Sequence, residues 1–338
     1  MKTLVCMKPG VLEYTSSGRP QLEKNHVIIK IKRIGICGTD IHAFEGTQPF
    51  FTYPRILGHE LAGELVEINN APGFAIGETI SFIPYFNCGN CIACRMNKPN
   101  CCTQLQVCGV HINGGMAEYI SIPSSSLLHG EGLNFDELAL VEPLAIGAHG
   151  VRRAAIGPGE FVLVIGAGPI GLGTIEFARI AGGNVIALDI NEQRLQFCKN
   201  KLNVDYIINA SSSDVTEQLK QITNGDMPTV VIDATGSLKA IDNSFQYMAH
   251  GARYVLIGLQ KKDISFNHPE FHKREGTLMS SRNATRNDFE HVTRCIKAGE
   301  IKPGSYITHR VSFDEVAKEF ESWLDPSNGV IKAMIEMY

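Results

Sequence analysis

No run of about 18 apolar residues occurs anywhere in the chain, so nothing in it is expected to span a bilayer. Positive charge is not in excess: 31 Lys and Arg face 35 Asp and Glu, for a formal net charge of −4. That balance gives no electrostatic reason to expect DNA, RNA or an anionic membrane as partner. The opening stretch Met1 to Met7 is interrupted at once by Lys8 and Pro9, too early for the apolar core of a secretion signal. Internal repeats and low-complexity segments are also lacking. Against these absences stand 338 residues, 44% of them hydrophobic, with 33 glycines and ten cysteines. Such a length predicts about two domains and ample core without disulfide staples. The cysteines therefore read as metal ligands or buried thiols of a reducing compartment, and the expected location is cytoplasmic.

The first part of the chain reads as mostly β. His26 to Ile36 is β-branched with partial alternation, and Leu61 to Ile68 and Thr79 to Ile83 are similar, with Gly and Pro between them. Near Val141 the character changes. Glu142 to Ala155 predicts a helix leading into a new domain. Strand Phe161 to Ile165, helix Ile170 to Ile180 and strand Val185 to Leu188 then follow, with further strands at Thr229 to Ala234 and Arg253 to Gly258. Short apolar runs separated by helical segments argue a parallel sheet covered on both faces. A helix from about Asn287 and strands at Ile307 to Val311 and Val330 to Met337 complete the pattern.

Three features carry chemistry. Cys88, Cys91 and Cys94 recur every third residue, with Cys101 and Cys102 after a gap. Four thiolates this close together can converge on one tetrahedral zinc and close its coordination sphere, which makes a structural site. Arg95 and Lys98 lie within the same stretch and offset its negative charge. Gly166-Ala167-Gly168-Pro169-Ile170-Gly171 fits G-x-G-x-x-G between a predicted strand and a predicted helix. Gly166 allows the turn, Gly168 the approach of a pyrophosphate, and Gly171 close packing of helix on strand. The helix start at Pro169 and Ile170 offers free N–H groups to phosphates. Asp189 ends the next strand, where a carboxylate accepts both ribose hydroxyls and repels a 2′-phosphate, so NAD is expected over NADP. Arg194 is a candidate neighbour of the adenosine.

The third feature is scattered: Cys37 with Thr39, Asp40 and His42, then His59 and Glu60, then Glu142 before Pro143. Each residue alone reads as a buried thiol, a core histidine or a solvated charge. With the four-cysteine lobe, Gly114-Gly115, Ala117-Glu118-Tyr119 and the glycine loop, their order and spacing resemble the zinc-dependent medium-chain alcohol dehydrogenases. Specifically, they are similar to the sorbitol, threonine and sugar-acid branch, with the L-galactonate-type oxidoreductases nearest.

The resemblance implies an α/β protein with a GroES-like β-rich catalytic domain and a Rossmann NAD domain with a doubly wound parallel sheet. It places the catalytic domain in residues 1–145, with a zinc lobe at 86–103, and in 288–338. The NAD domain is 146–287, with the active cleft between the two. Two zinc ions per chain are implied. One is structural, on Cys88, Cys91, Cys94 and Cys102, the last chosen by the family's seven-residue gap. The other is catalytic, on Cys37, His59 and a carboxylate from Glu60 or Glu142. Asp40 is expected to accept a hydrogen bond from the His59 ring, and Thr39 and His42 to relay the substrate proton. Glu118 and Arg282 are candidate substrate contacts.

The implied reaction is hydride transfer to NAD⁺ from a secondary hydroxyl of a polyhydroxylated small molecule, such as a sugar acid or a polyol. L-Threonine 3-dehydrogenase and sorbitol or L-iditol dehydrogenase are the enzymatic alternatives, and a non-catalytic NAD-binding protein is the non-enzymatic one. A homodimer or homotetramer is implied by analogy.

Overall fold

The computed structural model describes residues 1–211 and 214–338. The chain divides into two units, Met1–Pro143 with Thr285–Tyr338, and Leu144–Ala284. Among the described residues, no helix is long and apolar enough to cross a membrane.

The first unit is built on a seven-stranded sheet whose central strand is His26–Gly35. Val27, Ile28, Ile29, Ile31 and Ile34 of that strand are buried, so it reads as a near-continuous apolar run rather than a clean alternation. Burying each such side chain contributes about 1.5–3 kcal/mol. Glu60–Ile68, Tyr119–Pro123 and Lys332–Glu336 pair antiparallel with it. Ile307–Ser312 pairs parallel with Lys332–Glu336 at the sheet's edge. Within this register Gly35 faces Glu60 on one side and Met334 on the other. A Cβ at Gly35 would lie 2.1 Å from Glu60 Oε2, so only glycine lets the Glu60 carboxylate sit across that strand. Leu4, Leu57, Phe82, Phe313, Phe320 and Trp323 join one hydrophobic core with these strands.

A small two-stranded ladder, Tyr85–Phe86 against Gln106–Val107, forms the stem from which the cysteine lobe emerges.

The second unit is a six-stranded parallel sheet. Its order is Tyr206–Asn209, Asn184–Asp189, Phe161–Ile165, Val230–Asp233, Arg253–Leu256 and Thr277–Ser280. Strand order reverses beside Phe161–Ile165, which makes its carboxyl end the switch point where ligands bind in such sheets. Helices Pro169–Ile180 and Glu192–Lys201 follow the first two strands in sequence. The helix expected from Glu142 runs Val141–Ala154, starting in the first unit and ending in the second.

Candidate active site

Cys37 caps the short helix Gly38–Phe44, and its backbone N–H donates to Asp40 Oδ2 at 2.9 Å. His59 sits between Gly58, whose φ is +93°, and the strand starting at Glu60. Side chains of consecutive strand residues point to opposite faces. The turn at Gly58 takes His59 out of the strand, so His59 and Glu60 reach the same place. One donor atom from each of Cys37, His59 and Glu60 falls within 4.8 Å of the others. Ligands at tetrahedral bonds of about 2.0–2.3 Å stand about 3.3–3.8 Å apart, so a small contraction closes this trio on zinc. Among the described residues His59 Nδ1 has no hydrogen-bond partner; it is the ring nitrogen that faces Asp40. Thiolate, imidazole and carboxylate together are a zinc donor set that leaves a fourth position open.

Three carboxylates are buried here, at Asp40, Glu60 and Glu142. A buried carboxylate needs hydrogen bonds or a counter-charge. Each has a different holder. Asp40 accepts from the backbone N–H of Cys37 and, at 3.1 Å, of Gly58. The expected bond from His59 is not formed, because Nδ1 to Asp40 Oδ1 is 3.9 Å, beyond hydrogen-bond range. Glu60 is gripped by Lys332 Nζ at 2.6 Å from both oxygens, and the same ammonium donates to Ile36 O at 2.9 Å. Glu142 Oε1 accepts from the Tyr85 hydroxyl. Glu142 opens its helix close enough to feel His59 and Glu60, but it lies outside the trio with Cys37.

Burial pushes the Glu142 carboxyl up to about 7, with His59 opposing and Glu60 adding to the rise. Burial raises Asp40 as well, against the pull of His59. Burial also disfavours the cations, yet Cys37, Asp40 and Glu142 hold the His59 ring well above its usual value. Glu60 and Cys37 likewise raise Lys332 against its burial.

Thr39 is half-buried in the first turn of helix Gly38–Phe44. His42 is exposed on its last turn, with Nδ1 3.1 Å from Glu45 Oε2. Glu118 is engaged elsewhere, accepting from the Lys2 backbone N–H at 2.7 Å. Arg282 is exposed in the loop after Thr277–Ser280.

The lobe gathers Cys88, Cys91, Cys94 and Cys102 with donor atoms within 4.8 Å. Cys101, the alternative fourth ligand, is exposed outside this group. Backbone N–H groups of Thr103 and Cys94 lower the Cys91 thiol to about 5, ready to ligate as thiolate.

In the second unit Gly166 adopts φ +97°, and a Cβ on Gly171 would lie 1.8 Å from Gly166 O. Both positions therefore require glycine. Gly168 caps the helix, with Pro169 and Ile170 as its first residues. Asp189 Oδ2 accepts from Ala167 N at 2.6 Å and Oδ1 from Asn191 N at 2.7 Å, fixing the carboxylate beside the glycine loop. The Arg194 guanidinium lies by Gly168, its Nη1 3.7 Å from where a Cβ would be.

Sequence reasoning missed Lys332 and Tyr85. Lys332 is a lone cation in an apolar strand, Lys-Ala-Met-Ile-Glu, and only its position as the odd charge in that run could have singled it out. Tyr85 precedes the first lobe cysteine by three residues, and nothing local marks it.

Comparison with known proteins adds to this geometry. The alcohol dehydrogenase GroES-like domain family matches residues 23–131, and the zinc-binding dehydrogenase family matches residues 169–298. The chain is 42% identical to L-galactonate-5-dehydrogenase of Escherichia coli K12 over 336 residues, covering 99% of this chain and 98% of the relative. It is 30% identical to sorbitol dehydrogenase of Halalkalibacterium halodurans, covering 95% and 96%. The solved structure of the alcohol dehydrogenase rspB from E. coli CFT073, complexed with NADH, superposes with a TM-score of 0.92 at 30% identity, covering 99% of both chains.

Proposed function

Because this chain belongs to the zinc-type medium-chain alcohol dehydrogenase family, we propose that it oxidises a secondary hydroxyl of a polyhydroxylated small molecule with NAD⁺. A sugar acid such as L-galactonate is the first choice, on the strength of the relative at 42% identity; a polyol is second, on the sorbitol dehydrogenase at 30%. The observation that carries the reading is the convergence of Cys37, His59 and Glu60.

Bound zinc would acidify the substrate hydroxyl, and bound NAD⁺ would accept the hydride. The chain's own residues do the rest. Cys37, His59 and Glu60 hold the ion, with Lys332 orienting Glu60 and Tyr85 holding Glu142. Thr39 and His42 stand three residues apart on one helix, so they share a face. Thr39 accepts the hydroxyl proton while passing its own on toward His42, which, with 55% of its side chain exposed, delivers a proton to solvent. Asp189, oriented by Ala167 and Asn191, accepts the ribose hydroxyls and disfavours a 2′-phosphate. Arg194 lines the adenosine side of the loop. A second zinc in the lobe, closed by four thiolates, is structural. Arg282, outside these groups, is the candidate for a substrate carboxylate. Further readings are a homodimer or homotetramer and a cytoplasmic location, the latter supported by ten free cysteines.

Elemental analysis with an NADH absorbance assay tests the reading, using hexonates, polyols and threonine at mildly alkaline pH. Two zinc ions per chain and turnover of a hexonate are expected. Cys37→Ser should lose one ion and all turnover while still binding NAD⁺. Full activity in protein holding a single metal in the cysteine lobe would overturn it.

A further inference from the structure

Tyr85 stands out among the residues around Cys37, His59 and Glu60. It is nearly fully buried, and its hydroxyl is the hydrogen-bond partner of Glu142 among the described residues. A phenylalanine would fill the same space and pack the same way, so the hydroxyl is there for the carboxylate. The phenol has little freedom to leave. Its strand pairs with Gln106–Val107, and Cys108 N donates to Pro84 O at 3.0 Å. The ring stands edge-on to the fully buried Phe289 at 6.0 Å. Two residues on, Asn87 Nδ2 donates to Cys94 Sγ at 3.5 Å, and Cys88 follows. The tyrosine therefore sits on the stem of the cysteine lobe, held from both ends, with its hydroxyl projecting into the acidic pocket.

We propose that Tyr85 is a positioning residue of the catalytic site, fixing Glu142 beside the ion held by Cys37, His59 and Glu60. The inference rests on the metal reading above. Glu142 and Glu60 repel within one buried pocket. Lys332 fixes one, and without a second holder the other is free to turn toward the ion or away from it. By donating to Oε1, Tyr85 restricts that choice and sets the field at the open ligand position. Groups that orient a metal's surroundings in this way typically control affinity by about 10–100-fold.

The test uses full-length protein with cobalt(II) at the Cys37 site and zinc in the lobe, without substrate. Tyr85→Phe is expected to alter the visible cobalt spectrum. It should weaken cobalt binding in chelator competition by about 10–100-fold, with the lobe zinc retained. Glu142→Gln should do the same, and the double variant should be no worse than Glu142→Gln alone, because Tyr85 acts only through the carboxylate that this variant removes. Wild-type spectrum and affinity in Tyr85→Phe, or fully additive effects in the double variant, would overturn the inference. If Tyr85→Phe does not fold, Glu142→Gln decides: wild-type cobalt affinity there sinks the proposal, and a loss of about 10–100-fold supports it. A wild-type protein that takes cobalt at Cys37 but is silent toward every hydroxy compound refutes the substrate reading and leaves this test intact.

Discussion

Removing the Lys332 ammonium is the sharpest perturbation available in this protein. Lys332→Met keeps an unbranched side chain, one atom shorter, and deletes its charge. The ammonium makes two contacts of 2.6 Å with the Glu60 carboxylate and one of 2.9 Å with Ile36 O, and Lys332 is only 2% exposed. Deleting one partner of a buried ion pair strands the other, at a cost of about 3–5 kcal/mol. The lost Ile36 bond adds about 1 kcal/mol.

The single tryptophan makes this measurable. Trp323 lies in the core of the same unit, so its fluorescence follows that unit and not the other. With a urea slope of about 2–3 kcal/mol per molar, a total loss of about 4–6 kcal/mol moves the midpoint down by about 1.3–3 M. Adding Glu60→Gln removes the stranded charge and should recover much of the loss, although the metal site is then damaged. A midpoint shift below about 0.3 M in Lys332→Met, or a double variant as unstable as the sum of the two single ones, would refute the reasoning.

Cys94→Ser removes one of the four thiolates proposed to close on zinc and should lower the melting temperature and zinc content together; a soluble variant melting like wild type would contradict a structural zinc there. Asp189→Gly should weaken NAD⁺ binding and relax discrimination against NADP⁺, read as the ratio of kcat/KM for the two cofactors; an unchanged ratio removes Asp189 from the ribose. Arg310 and Arg33 hold the Asp136 carboxyl below its usual range against the opposing effect of burial. Its contribution is therefore complete above the ordinary carboxylate pKa and is lost as pH falls through the lowered one. The stability gap between wild type and Asp136→Asn should be present at pH 7 and vanish in acid, and a gap that persists below pH of about 2 would contradict the pairing.

Much of the architecture was readable because local pattern and fold agree. Phe161–Ile165 is a short apolar run closed by Gly166, and such a run has few alternatives to a buried parallel strand. The cysteine spacing likewise marked the lobe, since four thiolates in fifteen residues have little else to do. What stayed hidden depends on contacts distant in sequence. Strand alternation alone sets His59 and Glu60 apart, and only the left-handed turn at Gly58 brings them together. The hydrogen bond expected between Asp40 and His59 gave way to two backbone amides, which no motif records. Lys332 meets Glu60 across 272 residues, and Tyr85 meets Glu142 across 57. Sequence spacing of that kind carries no local signal.

The late position of Lys332 orders events during synthesis. Glu60 leaves the ribosome early, whereas the ammonium that grips it follows 272 residues later, after the whole of Leu144–Ala284. Until then Glu60 lacks the cation that pairs with it, and a carboxylate without a partner is costly to bury. The Lys332–Glu60 pair can therefore form only once the intervening unit has been made.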